Sequence, residues 1–115
     1  MATISLVRPA LPVLTKNQGI VFETAAVANG DDLVLTAVEA PAHRTILCTP
    51  AVAATDLASI SNGVFAGQRL TLLVANANTL GVPIALGNVD STADLDGTKD
   101  TPIHLVWNGA AWQAA

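Results

Sequence analysis

The chain is short of charge, of aromatic rings and of cysteine. Charged residues fill 12% of its 115 positions and aromatic residues 3%, with no tyrosine at all. An average soluble domain carries about 25% charged residues, so little here is suited to face water. Rings bury the most area per residue, and without them the core must be built from small aliphatic side chains. The single cysteine, Cys48, excludes an intrachain disulfide and the cystine-stapled secreted scaffolds that need one. Five cations (Arg8, Lys16, Arg44, Arg69 and Lys99) are scattered through a chain of net charge −4. No basic stripe exists to displace counterions from nucleic acid or to grip an anionic membrane. Neither partner is expected.

Other absences narrow the field further. The N-terminal residues lack the basic and sustained apolar regions of a signal peptide. Residues 70–89 form a charge-free window, but Asn76, Asn78, Gly81, Pro83, Gly87 and Asn88 break it into pieces too short for a membrane helix. No serine sits in a nucleophile elbow, no glycine-rich phosphate loop opens a helix, and no N-glycosylation sequon is present.

What remains is a chain with 51% apolar residues, in a length that suits one domain. Small domains bury a modest share of their surface, so copies packed against one another are the simplest way to cover this much hydrocarbon. Residues 1–19 read as an extended arm, because Pro9 and Pro12 block a helix and Lys16-Asn17-Gln18-Gly19 closes the segment with turn chemistry. Residues 20–115 read as a single β-domain. Strands are expected at Ile20–Glu23, Leu33–Val38, Arg44–Thr49, Gln68–Ala75, Val82–Leu86 and Ile103–Trp107, with turns at Asn29-Gly30, Asn62-Gly63 and Asn108-Gly109. Thr49-Pro50 carries a weak helix-start signal for Ala51–Ala54. Residues 90–100 read as an acidic loop. The fold class is all-β, and no exact internal repeat stands out.

Few residues suggest chemistry. Cys48 lies in an apolar run and reads as a small buried hydrophobe. His43 and His104 have no partner motif of metal-ligand spacing, and no metal is expected within one chain. The string Thr92-Ala93-Asp94-Leu95-Asp96-Gly97 partly matches a calcium loop, but Thr92 and Ile103 occupy the positions of its first and last ligands. Trp107 and Trp112 flank the last turn, either as hairpin locks or as an exposed recognition pair for a sugar. No acid–base pair supports an enzyme, and no cofactor is implied.

The second half of the chain, residues 57–115, carries a likeness. The step Gly67-Gln68-Arg69-Leu70-Thr71-Leu72 and the closing Leu105-Val106-Trp107-Asn108-Gly109-Ala110-Ala111-Trp112 resemble the short trimeric β-prism or β-helical modules of tailed bacteriophages. These modules occur in head decoration proteins, head fibres and tail-fibre segments. The resemblance implies a compact prism, tulip or jelly-roll-like domain that trimerises and decorates a capsid. The major capsid protein would be its partner, and the virion surface its location after synthesis in the host cytoplasm. Capsid contacts are then expected from the arm (Ile4, Leu6, Val7, Leu11 and Val13), and the shared oligomer core from Leu70, Leu72, Ile84, Ile103 and Leu105. A receptor- or carbohydrate-binding fibre tip that uses Trp107 and Trp112 is the alternative.

Overall fold

The computed structural model describes residues 4, 6, 19–35 and 41–115. Within them the chain is all-β. Strands β1 (Ile20–Val27), β3 (His43–Pro50) and β6 (Arg69–Val74) lie side by side and parallel. Their register aligns Val21 with Arg44 and Leu70, Glu23 with Ile46 and Leu72, and Ala25 with Cys48 and Val74. Two further faces form in the same way. Strand β2 (Asp32–Leu33) runs parallel to β5 (Ser59–Ile60), and β4 (Ala54–Asp56) parallel to β7 (Thr79–Val82). The chain therefore winds as a three-faced solenoid and lays each coil on the one before.

Side chains tie the coils together at a nearly constant separation. Ser59 donates to Asp32 and Gln68 Nε2 to the Pro41 carbonyl, each 27 residues apart, and Asn88 Nδ2 donates to the Ile60 carbonyl 28 residues away. This is a structural repeat without a sequence repeat. Parallel stacking asks only for alternating inward hydrophobes and a turn at each corner, and many residues satisfy that. The corner at Asn29-Gly30 shows how. Gly30 takes φ 85°, Asp31 N–H donates to the Ala28 carbonyl, and the Asp31 carboxylate accepts from Ala28 N–H.

The far end of the stack closes with three antiparallel strand pairs and one parallel pair. After a 3-10 turn at Ile84–Leu86 come β8 (Val89–Asp90), β9 (Leu95–Gly97), β10 (Ile103–Trp107) and β11 (Trp112–Ala114). Strand β9 pairs antiparallel with β7 and β10 with β6, β10 and β11 form a hairpin, and β11 pairs parallel with β8. The first sheet thus reaches six strands in the order β1-β3-β6-β10-β11-β8. In the hairpin loop the Asn108 carboxamide oxygen accepts from the N–H groups of Ala110 and Ala111, and Gly109 takes φ 100°.

The alternation expected of β6 holds, with Leu70, Leu72 and Val74 all facing the core. They meet Val27, Leu33, Ile46, Ile60, Leu80, Val82 and Leu105 in one interior. Each such side chain contributes about 1.5–3 kcal/mol on burial.

Several expectations need correction. Leu70, Leu72, Ile103 and Leu105 are buried by their own chain, so no neighbouring copy is needed to cover them. Ile84 lies outside the chain's own core, on the 3-10 turn with 41% of its surface exposed. Pro83 explains this: it ends strand β7 at Val82 and lets the chain turn. Ala51–Ala54 form no helix, because Ala54 begins β4. Segment 90–100 is not all loop, since Leu95–Gly97 pair with β7. Of the strand expected at 33–38 only Leu33 is paired, Val34 and Leu35 are unpaired, and the remainder lies outside the described residues.

Candidate interaction face

The outward side of the six-stranded sheet gathers the residues with the most chemistry. One row across it runs Ile20, His43, Arg69, Val106, Gln113 and Asp90, and the next runs Phe22, Thr45, Thr71 and His104. Period two puts these residues outside because their neighbours are inside. Glu23, Arg44 and Ile46 are buried, so Phe22, Thr45 and Leu47 point the other way.

Both histidines of the chain converge here. His43 Nε2 lies 3.2 Å from Thr71 Oγ1, and His104 Nδ1 lies 3.3 Å from the same oxygen. One hydroxyl has one proton, so it donates to one imidazole and accepts an N–H from the other. His43 and His104 sit on strands either side of β6, and nothing in their sequence spacing announces the meeting. Only the pairing of β3 and β10 with β6 makes them neighbours.

Around this centre the face is mixed. Ile20 and Phe22 on β1 are exposed, and Leu47 and Leu73 are half-buried. Arg69 is exposed beside His43, and Asp90 is the one carboxylate in these two rows.

The expected recognition pair is not on a surface. Trp107 and Trp112 are 6% and 1% exposed and pack edge to face with ring centroids 5.3 Å apart. Trp112 Nε1 donates to the Ser61 carbonyl, and Trp107 lies against Gly63. Their spacing around Asn108-Gly109 fits either role, and burial decides for the hairpin lock.

The arm divides. Ile4 is buried in the core of its own chain and donates its N–H to the Asp32 carbonyl, while Leu6 is half-buried against the core. For Ile4 this corrects the expected capsid contact. Val7, Leu11 and Val13 lie outside the described residues.

Cys48 faces the interior, and desolvation by burial pushes its thiol up to about 12. A thiol held neutral at physiological pH is a poor nucleophile. Among the described residues no three His, Cys, Asp or Glu side chains converge as a metal set, and no helix is long and apolar enough to cross a membrane. Comparison with family models, curated proteins and solved structures gives no match for this chain.

Proposed function

We propose that this protein is a structural, non-enzymatic subunit that decorates a tailed-phage capsid as a homotrimer and bridges neighbouring capsid subunits. The reading rests on the phage-module likeness of residues 57–115. The observation that carries it further is the pair of exposed apolar side chains at the edge of the outer sheet face, Ile20 and Phe22. Both are exposed on β1, the edge strand of that sheet, in a chain that packs a core of its own. Hydrocarbon left outside a complete core is where association gains most. A solenoid with a self-sufficient interior keeps its shape when bound. Modest contacts repeated by symmetry then add through avidity.

Two measurements test the proposal. Light scattering after size exclusion should give a mass near three chains of 11.7 kDa that persists on dilution. The purified protein, added to bare capsids of the phage that encodes it, should saturate them at a fixed stoichiometry and raise their disruption temperature. Phe22→Lys should weaken both trimerisation and capsid saturation while the fold is retained. A monomer at all concentrations overturns the trimer, and failure to bind capsids overturns decoration.

A further inference from the structure

The geometry points to a binding site for a borderline divalent transition cation, of the Zn²⁺, Ni²⁺ or Cu²⁺ class, at His43, Thr71 and His104. It stands on this triad alone and does not depend on the assembly reading. Strands are spaced about 4.8 Å apart, so β3 and β10, which flank β6, stand about 10 Å apart. One imidazole from each of these strands brings a ring nitrogen within hydrogen-bond distance of the same atom, Thr71 Oγ1. The two contacts to Thr71 Oγ1 measure 3.2 and 3.3 Å. Ligands at about 2.0–2.1 Å from a tetrahedral cation lie about 3.3 Å from one another. These are also ordinary hydrogen-bond lengths, so a cation bound here replaces both hydrogen bonds and the two rings turn from the hydroxyl toward it.

Imidazole suits this class of cation and does not suit magnesium or calcium. His43 Nε2 and His104 Nδ1 are the principal ligands, the Thr71 hydroxyl is a weak third, and water takes the open position. Without a cation one ring must carry its proton on the nitrogen that faces Thr71. Binding asks both nitrogens for lone pairs, so that proton moves to the ring's other nitrogen. His104 is exposed and His43 partly so, and ordinary side-chain motion admits the ion. Arg69 is the charged group in register beside His43, and it is exposed. Its charge opposes the cation and is partly screened by solvent.

The test is calorimetric titration of the intact protein with Zn²⁺ and separately with Ni²⁺, with the histidine ring signals followed by NMR. One cation should bind per chain and shift both rings. His43→Gln and His104→Gln should each weaken binding about tenfold or more, or ~1.4 kcal/mol. Arg69→Gln should strengthen it. Thermal melts without metal confirm that the variants fold. Absence of saturable binding overturns the site, as does affinity unchanged in both histidine variants, which would place the ion at the carboxylates. Weakening by Arg69→Gln also overturns it, because loss of a neighbouring positive charge favours a cation held at these rings.

Discussion

Arg44 Nε lies 3.0 Å from Glu23 Oε1 inside the solenoid, and both side chains are 3% exposed. The residues sit on adjacent coils, two residues off register and so on the same face, because Val21 aligns with Arg44 and Glu23 with Ile46. An interior built mainly from aliphatic side chains thus holds one of the protein's five cations, paired to a carboxylate.

Removal of one partner takes this contact from a charge that is 3% exposed. Arg44→Met and Glu23→Gln should each cost about 3–5 kcal/mol, whereas the double replacement Glu23→Leu with Arg44→Met should recover most of the loss. Urea unfolding of the three variants checks this. A double variant that loses the sum of the single losses would show that the two residues act independently.

Gly63 and Gly81 both lack room for a methyl group, for different reasons. A Cβ on Gly63 would overlap Trp107 Cγ and lie 2.6 Å from Trp107 Cβ, with the ring wedged against Trp112. A Cβ on Gly81 would meet the Asp56 carboxylate, which is exposed and free to swing away. Gly63→Ala should therefore cost about 1–3 kcal/mol or more through overpacking, and Gly81→Ala clearly less. Equal losses in denaturant melts would refute the distinction.

Ile4 is a core residue, so Ile4→Ala should lower the stability of the isolated protein by about 2 kcal/mol or more. A residue whose only role was to touch a capsid would leave that stability unchanged. Chemical denaturation in the absence of any capsid separates the two.

Burial raises the Cys48 thiol from 9.0 to about 12, and this gives stability a pH dependence of known sign. Below about 9 the thiol is protonated in both states, and its contribution is fully present. Above 9 the unfolded chain loses the proton and the folded one keeps it. Stability should then fall by about 1.4 kcal/mol per pH unit until the folded thiol titrates. The difference between wild type and Cys48→Ala should be flat below pH 9 and shrink above it. At pH 8 a thiol reagent should modify Cys48 only on unfolding, and rapid modification of the native protein would contradict its burial.

The sequence by itself determined the class of structure. Alternation in Arg69–Val74 and Ile103–Trp107, and glycine at corners that need positive φ, are local properties. Short-range sterics and period two decide them before any long-range contact forms. The turn at Asn29-Gly30 and the hairpin around Asn108-Gly109 were legible for the same reason. Tertiary structure decided everything that depends on which strand lies beside which. Parallel neighbours more than twenty residues apart leave no local trace, so neither the coils nor the approach of His43 and His104 to Thr71 could be read from spacing. The same holds for the sides of Trp107 and Trp112. Tryptophan suits a sugar surface or a core equally well by composition, and only the packing of β10 and β11 against Ser61 and Gly63 put both rings inside. Hydrophobicity selects residues for burial without naming their partners, and the pairing of strands names them.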